Sequence, residues 1–349
     1  MKNTVLLIAC LMTSLLFSQE KENCHKDNNH SNCNSSDRPD GHAPIGVMGD
    51  HTHPKGGFMI SYKYMTMGMQ QLKEGRDNAT NANGFTDYMV TPQNMIMNMH
   101  MLGAMYAPTD KITIMAMANY IENDMNLQMM MMGMTRNFST KSSGLGDVSL
   151  SALYSIFNSN KKNLHAQVGV SIPTGSIEAK DATPMSMGED IQLPYPMQLG
   201  TGSWGTKLGL TYQWHGTTSS FGAQLNSHIN LNDNDQDFRF GNHYQATTWV
   251  AAKANDWLSA SFRLNGQLVD EIKGKSDMVN PMMVSTADTT NSGGLYIHYG
   301  FGVNLLQPKG TLKGLRFGAE ILLPLYQDVN GFQLDQSYTA NLGVQYAFH

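Results

Sequence analysis

Apolar and polar residues alternate one by one along most of this chain. In residues 112–120, Ile112, Ile114, Ala116, Ala118 and Tyr120 are interleaved with Thr113, Met115, Met117 and Asn119. The stretch 148–156 sets Val148, Leu150, Ala152, Tyr154 and Ile156 against Ser149, Ser151, Leu153 and Ser155. In 164–172, Leu164, Ala166, Val168, Val170 and Ile172 oppose His165, Gln167, Gly169 and Ser171. A period of two collects each kind of side chain on one face of an extended strand, whereas a helix would scatter it. About twelve such segments are legible, near residues 57–70, 94–107, 111–125, 144–157, 162–173, 203–215, 219–232, 238–253, 256–270, 293–306, 314–326 and 336–348. Each reaches the roughly 9–11 residues that a tilted strand needs to cross a bilayer, and single-chain bacterial barrels have an even strand count.

The connections sort by length. Long segments at 71–93, 126–143, 174–202 and 271–292 are separated by tight ones such as 158–161, 216–218 and 254–255. Short periplasmic turns against longer external loops are the pattern of an outer-membrane barrel. The expected fold is therefore all-β, an antiparallel transmembrane β-barrel of about twelve strands over residues 57–349. Its aliphatic and aromatic face meets lipid, because a bilayer offers polar groups no partner.

Beyond the N-terminus no run of about 18 apolar residues exists, which excludes helical membrane spans. The opening MKNTVLLIACLMTSLLFSQE reads as a secretory signal over residues 1–18, with cleavage after Ser18; a lipoprotein reading at Cys10 leaves too short an apolar run. Residues 19–56, rich in His, Asn and Ser and without a period, read as a flexible periplasmic arm. Cys24 and Cys33 in that arm would form a disulfide in an oxidising compartment. The last strand carries Asn341, Gly343, Tyr346 and Phe348, a spacing similar to the C-terminal signal read by the barrel-insertion machinery. A formal charge of −5 and the lack of a basic patch argue against a nucleic-acid partner.

Methionine changes the picture most. Residues 59–134 hold 18 of the 27 methionines, many at every second position. With the aliphatic face turned to lipid, Met59, Met65, Met67, Met69, Met95, Met97, Met99, Met101, Met105, Met115 and Met117 line one wall of the lumen. His165, Lys207, Arg239, His243, Arg263, His298 and Glu320 lie on the other wall. This phase sends Asn98 and His100 outward, which calls for a place near the rim or a bulge.

The phrases HAPIGVMGDHTHPKGGFMISYKYMTMGM, MHMLGAMYAPTDKITIMAM, SSGLGDVSLSALY and GEDIQLPYPMQLGTGSWGTKLGLTY carry a resemblance. Over residues 42–349 the chain resembles a family of bacterial outer-membrane proteins described as phenol-degradation meta-pathway transporters, in its Met-rich branch. The resemblance implies an outer-membrane barrel moving small, aromatic compounds. It brings no catalytic residue.

Three functions are compatible with these residues. A channel or transporter for a small, partly apolar or aromatic solute would use the thioethers as a deformable lining and needs no cofactor. A copper- or silver-handling protein would use soft ligands for a monovalent ion, drawn from Met95, Met97, Met99 and Met101 and from Cys24, His25, His30, Cys33, His51 and His53, with His42 and the cluster Met129–Met134 as further candidates. An enzyme would need a nucleophile, base and orienting group, and no such sequence is present. The loop 174–202 either folds into the bore or stands outside it.

Overall fold

The computed structural model describes residues 38–348 apart from residue 160. The expected signal segment and the arm residues Cys24, His25, His30 and Cys33 lie outside the described residues. One sheet holds thirteen antiparallel strands, twelve of them long. The long ones are Phe58–Gly75 (β1), Val90–Tyr106 (β2), Ile112–Met131 (β3), Met134–Leu145 (β4), Val148–Asn158 (β5), Lys162–Ile172 (β6), Gly205–His215 (β7), Ser219–Asn230 (β8), His243–Lys253 (β9), Leu258–Val269 (β10), Gly294–Leu306 (β11) and Leu315–Phe348 (β12). Both β4 and β5 pair with β3, along successive parts of it, so they act as one stave. The sheet closes where β1 meets β12, Phe58 lying opposite Phe348.

Eleven strands therefore form the ring, with β4 extending it and a short strand, Asp77–Ala79, beside β1. The long β12 pairs with β11 through Arg316–Val329 and with β1 through Val329–Phe348. It thus runs to the loop end and returns, which makes twelve crossings of the wall from eleven strands. Consecutive crossings are neighbours throughout, the arrangement that closure without a free edge requires.

The outward face is the aliphatic one. Ile60, Leu102, Ile114, Leu150, Val168, Leu210, Val250, Phe301, Ile321 and Leu342 are exposed, while their immediate neighbours point into the lumen. Among the described residues no helix is long and apolar enough to cross a membrane. Asn98 and His100 do face outward, without a bulge between Asn94 and Tyr106. Tyrosines on the adjacent strand satisfy them: Tyr64 Oη donates to Asn98 Oδ1 at 2.9 Å, and Tyr62 Oη lies 2.7 Å from His100 Nδ1.

Several expected loops prove to be strand. The segment 126–143 continues β3 and β4 as a hairpin that turns at Met132 and Gly133, both at positive φ (52° and 76°). Likewise β1 runs on to Gly75, β2 begins at Val90, and 327–335 belongs to β12. Outside the hydrocarbon layer neither strand face has to be apolar, so the alternation fades while the backbone ladder persists. The expected strand 238–253 is shorter for a different reason. Phe238–Arg239 pairs with Lys273–Gly274 in a separate ribbon, and only His243–Lys253 joins the barrel.

Residues 38–53 lie inside the barrel and 54–57 lead out over the short 107–111 turn to β1, which corrects the expectation of a flexible arm up to residue 56. The segment starts beside the short β7–β8 turn, where Arg38 Nη1 donates to the carbonyl of Gly216. Ser259 Oγ donates to the Pro39 carbonyl at 2.9 Å and Ser220 Oγ to that of Asp40 at 2.6 Å. Higher up, Lys63 Nζ donates to the Ile45 and Val47 carbonyls at 2.8 and 3.3 Å, and Gln224 Nε2 to that of Met48 at 2.9 Å. The chain then turns back: His165 Nε2 is 2.9 Å from the Gly49 carbonyl, His53 N donates to Thr113 Oγ1 at 3.0 Å, and Gly56 N to the Ala107 carbonyl at 2.8 Å. This plug has no ladder of its own, so lumen-facing side chains satisfy its backbone.

A buried ion pair anchors it. Arg263 Nη1 lies 3.2 Å from Glu320 Oε2, both side chains within 4% of full burial. The same carboxylate oxygen accepts from Gly46 N at 3.0 Å and Asn341 Nδ2 at 3.4 Å, while Arg263 Nε donates to Thr247 Oγ1 at 2.8 Å. Removing one member of such a pair leaves an uncompensated buried charge. Arg263→Ala should destabilise the folded barrel by about 3–5 kcal/mol in denaturant unfolding, and Arg263→Met with Glu320→Leu by clearly less. An equal loss in both variants would show that packing, rather than charge pairing, holds the joint.

Candidate functional site

The thioether stripe forms a cross-strand ladder. Met59 lies opposite Met105, Met65 opposite Met99, Met67 opposite Met97 and Met69 opposite Met95, while β3 adds Met115 beside Met105 and Met125 beside Met95. Met59, Met95, Met101, Met105 and Met115 are buried; Met65, Met67, Met69, Met97, Met99 and Met117 are half-buried. All share the strand face of Lys63, which reaches the plug, so the ladder faces the lumen. Its lower end packs Met59, Met105 and Met115 with Leu153. The upper end packs Met95, Met125, Met129 and Met197 with Val90, Leu127 and Leu193.

The loop 174–202 folds onto that upper end. Met197 is fully buried in the methionine cluster, and its carbonyl accepts from Ser142 Oγ at 2.6 Å. Residues 278–284 cover the same region, with Val90 N donating to the Met283 carbonyl at 2.9 Å. Between these loops and the wall lies an apolar cavity of about 280 Å³, lined by Val90, Met125, Leu127, Met129, Phe138 and Met283 among others. Met278 and Met185 at its edge are exposed.

The opposite wall is polar and mostly engaged with the plug. His165 and Glu320 bond to it directly, and Arg263 backs Glu320 from the wall. His298 is buried on β11, and Lys207 and His243 are half-buried on β7 and β9. Arg239, expected on the same wall, is instead in the two-residue ribbon with its Nε 3.5 Å from Asp233. The alternation that placed it there stops at Asn242, where the barrel strand ends and the lipid constraint with it.

Four residues weighed for metal, Met95, Met97, Met99 and Met101, lie at successive inward positions of β2. Two others, His51 and His53, sit in the plug and join His42 and Asp50. The ring centroids of His42 and His51 are 4.0 Å apart and those of His51 and His53 4.8 Å. Asp50 Oδ1 is 2.7 Å from His51 Nδ1, and Oδ2 is 3.7 Å from His42 Nδ1. Burial holds the His42 imidazole well below its ordinary value, with the Arg316 charge adding to it. Burial alone would raise the Asp50 carboxyl, but the charge and hydrogen bond of His51 outweigh it and hold the group well below the carboxylate range.

Sequence reasoning missed Lys63 and Asp50, and missed that the plug is seated at all. The signal was present in the apolar run Ala43-Pro-Ile-Gly-Val-Met48 within a polar tract, and in glycines on inward positions of the wall. A Cβ on Gly318 would lie 2.7 Å from Ile45 Cβ, and one on Gly343 2.8 Å from Ile45 Cγ1. Gly343 and Asn341, two residues of the expected assembly signal, thus face the plug, whereas Phe348 faces outward against Phe58 at 5.6 Å between ring centroids.

A sequence profile described as "Putative MetA-pathway of phenol degradation" matches residues 56–317. The chain belongs to this family. Among solved structures, the COG4313 outer membrane channel from Pseudomonas putida F1 superposes with a TM-score of 0.57 at 15% identity, covering 86% of this chain and 99% of that one. The NanC porin (TM-score 0.42, 9% identity, 81% and 98% covered) and the toluene transporter TodX from Pseudomonas putida (0.40, 11%, 84% and 90%) are more distant and carry no weight here. No curated protein matched the sequence. At that identity the likeness of this family member to the COG4313 channel establishes the fold, an outer-membrane β-barrel.

Trp249 reports on the plug, because it packs with Ala43 and Val47 and is 3% exposed. With Trp204, Trp214 and Trp257 replaced by Phe, adding Gly343→Leu should displace Ile45 and raise acrylamide quenching of Trp249 several-fold. Unchanged quenching in the folded variant would mean that the seat tolerates a side chain.

Proposed function

We propose that the barrel is an outer-membrane channel for a small, partly apolar solute, a single-ring aromatic compound being the best fit, with residues 38–53 as its gate. The observation that carries this reading is the continuity of the apolar lining from the loop-end cavity to the plug. Met125 and Met129 line the cavity, Met125 pairs with Met95, and Met95 pairs with Met69. Below follow the pairs Met67–Met97 and Met65–Met99, then Lys63 at the plug surface. Successive inward positions on a strand are about 6.6 Å apart, so a solute would meet a fresh pair of thioethers at each step.

Methionine suits such a path. Its unbranched side chain reshapes around a guest, and sulfur contacts aromatic rings favourably without holding them tightly. A cavity of about 280 Å³ is larger than the roughly 150 Å³ that holds benzene and near the lower end of ordinary ligand sites. That size admits one ring with a substituent. The polar wall would orient hydroxyl or carboxyl groups, and passage through the short-turn half requires the plug to shift. The family description, which names phenol degradation, is consistent with a phenolic solute.

Swelling of proteoliposomes in phenol and in small aliphatic polyols tests the reading. The wild-type barrel should admit phenol faster than a polyol of similar size, and Met125→Asp with Met129→Asp should slow phenol selectively. Replacing Met95, Met97, Met99 and Met101 together by Leu should leave most of the phenol flux. Absence of flux for every small solute would remove the channel assignment, and loss of flux in the Leu variant would favour the soft-ligand reading of the stripe.

A further inference from the structure

We propose that His42, Asp50 and His51 form a binding site for a divalent transition-metal ion that ties together the two arms of the plug. One ligating atom from each of the three lies within 4.8 Å of the others, and all three side chains are more than nine-tenths buried. In a tetrahedral site with metal–nitrogen distances of about 2.0–2.1 Å, donors sit about 3.4 Å apart. The cluster therefore closes around an ion through modest side-chain rotation.

Two further observations point to a cation. Among the described residues, neither His51 Nε2 nor His42 Nδ1 has a hydrogen-bond partner, although both atoms are buried. A buried polar group ordinarily has a partner, and two imidazole nitrogens left over in one cluster are what an ion would satisfy. Moreover, Asp50 is hydrogen-bonded both to His51 Nδ1 and to the Ala43 amide, at 3.0 Å for the latter. The Ala43 amide holds the carboxylate within the cluster, and as a ligand Asp50 would exchange its His51 contact for the ion.

The donor set selects the ion. Imidazole and carboxylate suit zinc, nickel or cupric copper, whereas thiolate and thioether favour the cuprous ion. Zinc is the probe of choice because it has no redox chemistry and accepts this ligand set. His42 belongs to the arm that enters the barrel and Asp50 and His51 to the arm that leaves it, with the apolar tip Ile45–Val47 between them. The ion would thus close the base of a short loop whose tip is locked by Lys63, Glu320 and the Ile45 seat. This inference does not rest on the channel reading, since metal binding is measured without transport.

The test is equilibrium binding of zinc to the untagged, detergent-solubilised full chain, by calorimetry and by metal analysis after dialysis. One tightly held equivalent per barrel is expected. It should survive replacement of the arm ligands (Cys24→Ser, Cys33→Ser, His25→Ala and His30→Ala together). It should be lost in His42→Ala and in His51→Ala, and Asp50→Asn, which removes a charged ligand, should weaken it by at least about 10-fold. Folding of each variant is checked by heat-modifiable gel migration, with His51→Gln as the milder change. Failure of the wild type to hold zinc, loss confined to the arm variant, or full retention in folded His51→Gln would each overturn the proposal.

Discussion

The carboxylate of Glu320 sits where wall meets plug, and the interior is organised around it. It faces the lumen because the other strand face belongs to lipid, and there it cannot remain without partners. Arg263 supplies charge, Gly46 a backbone amide and Asn341 a side-chain amide. One end of this set is the wall and the other is the inserted segment, so the plug completes the polar balance of the barrel interior. Lys63 repeats the logic from β1 by giving its ammonium to two plug carbonyls and the Met48 sulfur. A lumen in which wall cations and carboxylates already find plug partners is rigid in its short-turn half. Its loop-end half is lined by thioethers on one wall, with Lys207, His228 and His243 in register on the other.

That division gives the two halves different physical characters. The upper region has an apolar, deformable methionine side, closed above by loops rather than by ladder hydrogen bonds. The lower region is polar and cross-braced, and any route through it runs past residues 38–53. In the proposed channel, selectivity and gating would reside in separate parts of the same lumen. Both depend on strand alternation, which puts sulfur and charge inside and leaves the exterior to aliphatic and aromatic side chains.

Alternation also explains what could be read before the fold was known. Within the bilayer each face has a fixed solvent, and residues such as Ile112–Tyr120 or Val148–Ile156 declare their direction. The staves, their order and the inward turn of Met65, Met97 and Met115 were legible for that reason. Above the bilayer the pattern lapses, so the β3–β4 hairpin and the far reach of β12 were hidden among loop residues, and Arg239 was assigned to a wall it does not join. The plug was illegible on other grounds. Its residues follow no period because their backbone partners are side chains scattered over the wall, some of them 100 or more positions away, as His165, Gln224, Ser259 and Glu320 are. The histidines at 42, 51 and 53 could be noticed as chemistry, but only the chain reversal between Ala43 and Asp50, turning at Pro44–Val47, brings 42 back to 51.

The central claim is that residues 38–53 are seated in the lumen of the folded barrel. It is tested most directly by placing one cysteine at Ile45, in a chain with its native cysteines replaced by Ser, and measuring its reaction with a bulky, membrane-impermeant maleimide in native membranes. A seated plug predicts labelling far slower at residue 45 than at a cysteine replacing exposed Lys55, with protection lost on denaturation. Equal rates at the two positions in the folded protein would contradict it.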